Sequence, residues 1–518
     1  MLTFKSIISS RVARINPYWA LFLVSCFLWL VLGAIAGPTP SGLDVFIFRD
    51  AGWNLAQSGS FTSMGLPYVA DFQPRLYAHY TPMMPLLFAV FSSVFPRTAL
   101  SGEMFNSLVG FLAAALVLWL ALKQPVKREL RAFACIVIAL FPAVFITYDR
   151  PEALGVVLFA FTAVVAWSPK SWAATVGVLV ALTFLAHPFA GVLAAMWACL
   201  IILMKGPDEP RGWREFLLQF CTLCASAVLV IGAVAISYFL LDKTALLRFA
   251  AHAFGVSSGL GVARTSLRSH SYYSGLAYAL GVPSTGGGVV ASWVFFGYVV
   301  SSLLILYWIV RTRSRSEWCV FGTACASMVL AAVLFPTQGC YFTLVFFLVP
   351  IGMLAAIGRT SVFSARGMAL ILIVCLWRVP VVLRDTVARV ERHHSYLLAQ
   401  EQPYRLLANL PSRDSRVLVD TFAYDLYKPV IHNLINPYYH FSGEGAPFEQ
   451  IDGVIRCYGD FRGSREMTKP LPEFLDRTQF REVEAAPDHV WITLFGHKIV
   501  HWQDGWGCDL YVRREGGH

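Results

Sequence analysis

The stretch GLDVFIFRDAGWNLAQSGSF, Gly42 to Phe61, decides how this chain is organised. It follows directly on a long apolar segment, yet it carries Asp44, Arg49 and Asp50 among large hydrophobic residues. From Val45 to Ala56 the apolar positions recur at helical spacing, and the polar sequence QSG ends the run. The pattern predicts an amphipathic helix, opened by a carboxylate, beside the end of a membrane span.

The composition of the whole chain is that of a membrane protein. Its 518 residues are 57% hydrophobic and only 14% charged, and the mean hydropathy is +0.60. Soluble domains carry about 25% charged residues. The net charge of +10 does not indicate nucleic-acid binding, because the Lys and Arg residues lie mainly in short loops between apolar segments. The 11 cysteines are scattered, and the sequence contains no Walker loop, HExxH motif or zinc ligand set.

Apolar segments long enough to cross a bilayer recur along the first three quarters of the chain. They predict an α-helical polytopic membrane protein with about 11 to 13 transmembrane helices. The predicted spans lie near residues 17–37, 101–122, 132–148, 152–168, 171–187, 188–204, 216–241, 287–310, 318–335, 340–357 and 366–383. A further apolar piece, Pro82 to Pro96, is shorter than a complete span, contains three prolines and is ambiguous by itself. A complete span there would place the basic cluster at 123–131 outside, which argues against one.

The basic loops predict the orientation. Under this count they all fall on the side of the N-terminus, which carries Lys5, Arg11 and Arg14. The loops are 123–131, Lys170, 205–214, 311–318 and 358–367. By the positive-inside rule this side is cytoplasmic. The protein is therefore predicted to be a multi-pass protein of the cell (inner) membrane, with the loops at 38–100, 147–152 and 242–286 outside.

The tail of the chain is predicted to form a separate domain. Residues 1–383 would make up the transmembrane domain, and residues 384–518 a small extracytoplasmic α/β domain with strand-like runs such as RVLVDTF and HVWITLFG. Cys457 and Cys508 lie in this domain and could form a disulfide in an oxidising compartment.

Carboxylates flank the predicted helices on the outer face. They are Asp44, Asp50, Asp149 and Glu152. Charged groups at membrane depth are costly and often functional, and such a pair of clusters suits a general base with a second acid that orients the acceptor. The alternative is that these residues are interfacial anchors or pair with Arg49 and Arg150. The position of Asp44 at the start of the amphipathic helix favours a catalytic role for it.

The order and spacing of the residues in this loop resemble the membrane glycosyltransferases of the GT-C superfamily. The protein mannosyltransferases and the lipid A aminoarabinose transferases have such a loop, with matching positions here at Asp44, Phe48, Ala51, Leu55 and residues 57–59. LYAHYTPMMPLLF, which contains Tyr80, resembles the aromatic and proline-rich stretch that follows in the family. YDRPEAL, residues 148–154, resembles the acidic second outer loop, and the soluble C-terminal domain also fits the family's layout.

The resemblance implies a reaction. A sugar would pass from a polyprenyl-phosphate donor to a hydroxyl of a lipid, glycan or protein acceptor, with inversion, and Asp44 would be the general base. Membrane lipids are expected partners and nucleic acid is not. No cofactor is expected, and a divalent cation is not favoured. A transporter or flippase of lipid-linked saccharides and a glycan polymerase remain as alternatives.

The donor's phosphate needs a cation or fixed hydrogen-bond donors beside it, and arginine suits this geometry. The outer loop GVARTSLRSHSYY offers Arg264, Arg268 and His270 at roughly helical spacing. Arg378, near the outer end of the last span, is a second candidate. Tyr80, Arg150 and His187 are further candidates for substrate contacts. Alternatively, the cationic residues bind anionic lipid head groups.

Overall fold

We describe a computed structural model of the chain. It describes residues 16–38, 43–63, 75–78, 80–146, 151–167, 172–203, 213–253, 303–304, 307, 315–334, 339–357, 361–419, 424–435, 450–457, 480–484, 493–494, 497–498 and 508–514.

The described part of the chain is mainly helical. The helices are α1 (Pro17–Ala36), α2 (Leu43–Ser58), α3 (Met83–Val94), α4 (Ala99–Leu122), α5 (Arg128–Leu140), α6 (Glu152–Trp167), α7 (Ala173–Ala186), α8 (Pro188–Leu203), α9 (Trp213–Leu241), α10 (Lys243–Ala253), α11 (Arg315–Leu334), α12 (Gly339–Ile357), α13 (Ser361–Ala399), α14 (Gln402–Leu407) and α15 (Tyr424–Tyr427). A 3₁₀ turn, Pro142–Phe145, follows α5.

The strands are short and lie mostly in the tail. They are β1 (Thr62–Ser63), β2 (Arg75–Leu76), β3 (Arg416–Val419), β4 (Asn433–Ile435), β5 (Gly453–Cys457), β6 (Phe480–Glu484), β7 (Thr493–Leu494), β8 (His497–Lys498) and β9 (Cys508–Arg513). Five of them form one sheet in the order β4-β3-β5-β9-β6. β3 is parallel to β4 and β5, whereas β9 is antiparallel to β5 and β6. With α14 and α15 they make up the sheet domain.

Four described helices are long and apolar enough to cross a membrane: Pro17–Ala36, Ala99–Leu122, Trp213–Leu241 and, within α13, Ala365–Leu383. Shorter apolar helices lie among them, including α6, α7 and α8. Large apolar side chains such as Phe27 and Leu229 are exposed on α1 and α9, as expected of surfaces that face lipid. The protein is thus a mostly helical protein whose apolar helices indicate association with a membrane.

Local chemistry explains several helix ends. Thr98 and Ser101 cap the start of α4 reciprocally, each side chain accepting from the backbone of the other. Pro188 follows His187 and ends α7, because the residue before a proline is driven out of the helical region. The backbone of His187 is accordingly extended, with φ −153° and ψ 108°. Pro188 then opens α8 without loss of a hydrogen bond, since the first helical position needs no N–H partner.

Small residues allow the helices of the bundle to approach closely. α6 packs against α4, α7, α8 and α12, and α13 packs against α1, α5 and α12. Alanines such as Ala114 and Ala160 are fully buried in these contacts. At Gly352 on α12 an added β-carbon would overlap the buried ring of Trp197 on α8. Such packing of small residues replaces the hydrophobic driving force that lipid does not supply.

Helix ends separate into two groups. At one end Gln124, just after α4, donates to the carbonyl of Leu354 near the end of α12. Leu354 also lies against Gly367 at the start of the apolar part of α13. At the other end the starts of α4 and α6 and the end of α7 share one buried cluster with α2 and the sheet domain. We call this second group the domain-side end.

Each apolar segment that the sequence marks as a span and that lies among the described residues contains a helix. The structure describes only residues 303, 304 and 307 of the segment 287–310. The short piece Pro82 to Pro96 forms α3, a helix of 12 residues, which is shorter than a complete span. The boundary predicted at residues 383/384 lies inside α13, which runs without interruption for 39 residues.

Candidate functional site

The amphipathic helix predicted from Val45 to Ala56 is present as α2, but its central part does not face water. Residues 48–53 are all buried, between α3, α4 and the sheet domain. At Gly52 an added β-carbon would come within 2.6 Å of the carbonyl oxygen of Pro85, so glycine permits α2 and α3 to cross closely. Trp53 is fully buried and meets the ring of Phe88 edge-on at 5.4 Å.

The two charged residues in the middle of α2 are held by the sheet domain. Arg49 forms an ion pair with Asp425 on α15. Asp50 forms an ion pair with Lys428, whose Nζ lies 2.8 Å from Oδ1. All four side chains are buried. A buried charge without a partner is costly, so the sheet domain supplies the partners that make these charges tolerable inside the protein.

Further hydrogen bonds surround Asp50. The hydroxyl of Tyr424 donates to Oδ1 over 2.7 Å, and the hydroxyl of Ser63 donates to Oδ2 over 2.6 Å. Lys428 also donates to the carbonyl of His432 over 2.7 Å. Burial, together with the nearby carboxylate of Asp50, raises the pKa of Tyr424 well above its usual value. The tyrosine therefore remains a hydrogen-bond donor at every physiological pH.

Asp44 occupies the first turn of α2. Its backbone lies one helical turn before Phe48 and two turns before Ala51, on the same stripe of the helix. This stripe is the one that meets the aromatic stretch after β2: the ring of Phe48 lies 4.8 Å from that of Tyr80. Asp50 lies on another side of α2, towards the sheet domain. The two aspartates of the loop thus occupy different sides of the helix.

Three of the other candidates lie at the domain-side end. Thr81, next to Tyr80, donates to the carbonyl of Ala186 over 3.1 Å, which places Tyr80 near the following residue, His187. His187 is buried close to Gly155 on α6. A β-carbon added to Gly155 would lie 3.1 Å from the β-carbon of His187. Gly155 is one turn from Glu152, a buried carboxylate in the first turn of α6. Tyr80, His187 and Glu152 therefore share the domain-side end.

Arg378 on α13 lies next to the predicted second outer loop. Its Nε donates to the carbonyl of Val144 over 2.9 Å and its Nη2 to the carbonyl of Ile146 over 3.3 Å. Its guanidinium also stacks on the ring of Phe347 at 5.3 Å. The guanidinium thus binds the backbone that leads directly to the segment carrying Asp149.

The remaining candidates fall outside the described residues. These are Asp149, Arg150, Arg264, Arg268 and His270, and the side chain of Asp44 is not described either. Their roles stay predictions. Within the described ranges no group of three or more His, Cys, Asp or Glu side chains could hold a metal ion.

Several charged residues in these contacts were not singled out from the sequence. Arg389 on α13 donates through Nε and Nη2 to the carbonyl of Gly37, at 2.9 and 2.6 Å, just after α1. Its Nη1 lies 3.8 Å from the buried carboxylate of Glu103 on α4. Glu103 near the start of an apolar helix is a signal that could have been found, because a charge there usually has a function or a partner. Asp425 and Lys428 carry no such signal, since charged residues are ordinary in a soluble domain.

Comparison with known proteins provides no further identification. No protein-family model matches the chain, and no curated protein matches it.

Proposed function

We propose that the protein is a membrane glycosyltransferase of the GT-C type. It transfers a sugar from a polyprenyl-phosphate donor to a hydroxyl of a lipid, glycan or protein on the extracytoplasmic face. The isoprenoid tail of such a donor stays in the bilayer, which explains why the catalytic domain consists of apolar helices. Nucleotide sugars are cytoplasmic and would not reach that face.

In the proposed reaction Asp44 is the general base. The acceptor oxygen attacks the anomeric carbon while the bond from this carbon to the phosphate oxygen breaks, and the acceptor proton passes to Asp44. Attack opposite the leaving phosphate inverts the anomeric carbon. Asp149 or Glu152 would orient the acceptor. The phosphate leaves with increased negative charge, which Arg264, Arg268 or His270 would stabilise.

One observation carries this proposal. The described residues that flank the proposed base and the second acidic loop meet at the domain-side end through a chain of direct contacts. The chain runs from Phe48 to Tyr80, from Thr81 to Ala186, and from His187 to the first turns of α6. These contacts support a site in which Asp44 acts together with a carboxylate at position 149 or 152.

Two features support the proposed orientation. Cys508 is disulfide-bonded, and its neighbour across the ladder on β5 is Cys457. Disulfides persist in oxidising compartments, which favours an extracytoplasmic sheet domain. The exposed basic residues Lys123, Lys127 and Arg128 lie at the opposite end of α4, where the positive-inside rule expects the cytoplasm.

The experiment is sugar transfer by the purified protein in detergent. A panel of radiolabelled polyprenyl-phosphate hexoses and pentoses is incubated with a lipid extract as acceptor, and products are separated by chromatography. An enzyme transfers label without any compartment, whereas a transporter or flippase gives no new product. The absence of transfer from every donor, by protein that remains folded, would contradict the proposal. If transfer is observed, mass spectrometry of the surface glycans of cells with and without the protein would identify the natural product.

A further inference from the structure

Two ion pairs and a hydrogen bond from Tyr424 join α2 to the sheet domain. We propose that the segment Tyr424–Lys428 is a positioning element that fixes α2, and with it Asp44, in the arrangement needed for catalysis. This inference rests on the proposed function. It adds that the sheet domain acts in the reaction without touching the substrate.

The order of the charges fixes the placement of α2. Arg49 and Asp50 are consecutive on α2, and their partners Asp425 and Lys428 are three residues apart on and just after α15. A rotation or shift of α2 that exchanged the partners would bring Arg49 towards Lys428. It would also bring the carboxylate of Asp50 towards that of Asp425. Like charges in a buried site repel strongly, so only one placement satisfies all four residues.

The bundle supports the same placement from its side. Gly102 on α4 lies so close to Arg49 that an added β-carbon would overlap the guanidinium. The Cζ of Arg49 also lies 5.7 Å from the centre of the Phe88 ring. Arg49 is therefore held between α3, α4 and α15, and a lateral shift of α2 would break contacts on both sides.

A second anchor lies before the proposed base. Arg389 binds the carbonyls of Gly33 and Gly37 at the end of α1, and its partner Glu103 directly follows Gly102. Asp44 lies between these two anchors, seven residues after Gly37 and five before Arg49. Both anchors contact α4 at adjacent residues: Arg49 lies against Gly102, and Arg389 pairs with Glu103. A base held from both sides can keep the geometry on which its rate depends, since a misplacement of about 1 Å costs on the order of 100-fold in rate.

The test compares two tyrosines that are both fully buried on α15. Tyr424→Phe removes the hydroxyl that binds Asp50. Tyr427→Phe is the matched control, because its hydroxyl is 3.2 Å from Oε1 of Gln402 inside the sheet domain. Amide hydrogen exchange of the full-length protein in detergent is followed by mass spectrometry, together with kcat and KM for the donor.

We expect Tyr424→Phe to speed exchange in residues 48–58 about tenfold or more, since it removes a hydrogen bond to a charged group. The control should speed exchange in α14 and leave α2 unchanged. Tyr424→Phe should also lower kcat about tenfold with an unchanged KM for the donor. In an Asp44→Asn background it should cause no further loss, because it acts through Asp44.

Equal exchange in α2 for both variants would overturn the anchoring. Faster exchange in α2 with unchanged kcat would overturn the positioning role. Lys428→Met provides a second variant at the same contact, and it should have the same two effects if it folds. If the wild-type protein transfers no sugar, the proposed function fails and the positioning role fails with it. The exchange data from the same samples still show whether Tyr424 anchors α2.

Discussion

At the scale of single residues, the two aspartates of the first loop illustrate how far a sequence pattern can be interpreted. Asp44 and Asp50 are both acidic residues beside the end of an apolar helix, and the pattern alone offers both as bases. Asp50 contacts Lys428, Tyr424 and Ser63, and these contacts explain how its carboxylate is tolerated inside the protein. Three buried partners thus compete with any substrate for the oxygens of this carboxylate, which favours Asp44 over Asp50 as the proposed base.

The first prediction concerns Asp50→Asn. The substitution leaves the charge of Lys428 buried without a counter-charge, and breaking a buried pair costs about 3–5 kcal/mol. We expect a clear fall in the thermal unfolding temperature in detergent, with the activity per folded molecule reduced less than by Asp44→Asn. The control is Asp414→Asn, because Asp414 pairs with His432 with its side chain 75% exposed; this change should cost less than about 1 kcal/mol. An Asp50→Asn protein as stable as wild type would contradict the ion-pair interpretation.

The second prediction concerns Arg378→Lys. An ammonium group cannot reproduce the two planar hydrogen bonds to Val144 and Ile146, so the backbone before Asp149 should lose part of its support. We expect a lower unfolding temperature and a lower kcat with an unchanged KM for the donor.

Arg481→Lys is the control for this change. Arg481 is exposed on β6, and its described hydrogen bond is a single one, to the side chain of Asn409. A raised KM for the donor at an unchanged unfolding temperature would instead place Arg378 on the donor's phosphate.

At the scale of elements, α14 and β6 are joined by a charged contact that should depend on pH. Burial raises the pKa of Glu484, but the hydrogen bonds from Arg405 and Gln402 outweigh it and hold this pKa below its usual value of 4.5. A carboxyl whose pKa is lowered on folding stabilises the folded state above the unfolded pKa. This contribution is lost as the pH falls through the folded pKa.

The third prediction follows from that sign. Between pH values of about 6 and 3 the unfolding temperature of the sheet domain should fall, and Glu484→Gln should fall less steeply over the same range. The remaining slope belongs to other carboxyl groups. Hydrogen exchange in α14 reports the effect locally. Identical slopes for the wild type and Glu484→Gln would show that this contact contributes nothing to the acid sensitivity.

Elements were the part of the fold that the sequence predicted best. Long apolar runs and helical spacing located α1, α2, α4 and α9, because in a membrane protein the lipid imposes the pattern directly. The sequence also indicated β3 from its run of branched residues. It could not predict that α13 continues past residue 383, since a helix that leaves the membrane loses its apolar pattern but keeps its backbone hydrogen bonds.

The sequence could not predict the partners of α2 either. Arg49 and Asp50 are separated from Asp425 and Lys428 by more than 370 residues, and nothing in local spacing links such distant positions. An isolated amphipathic pattern indicates only that a helix has a polar side. Whether water or another domain meets that side depends on the tertiary structure.

At the scale of the whole molecule, the proposed reaction requires that the sheet domain and the active site lie outside the cytoplasm. The fourth prediction tests this with a membrane-impermeant maleimide applied to intact cells. An Arg481→Cys variant should be labelled without breaking the membrane, because position 481 is exposed on β6, whereas Cys508 is buried. Labelled peptides are identified by mass spectrometry.

A Lys123→Cys variant is the control for that experiment, since Lys123 is exposed at the opposite end of α4. It should react only after the cells are permeabilised. The reverse pattern, with position 123 accessible and position 481 protected, would show that the protein has the opposite orientation.

The proposed function depends above all on Asp44 as the base of a sugar transfer. The most direct measurement is the initial rate of transfer from a radiolabelled polyprenyl-phosphate sugar by purified wild-type and Asp44→Asn proteins, at equal folded fraction. An amide cannot take up the proton of the acceptor hydroxyl, so we expect an unchanged unfolding temperature and a rate reduced by about 100-fold or more. Turnover near that of the wild type by a folded Asp44→Asn protein would contradict the account.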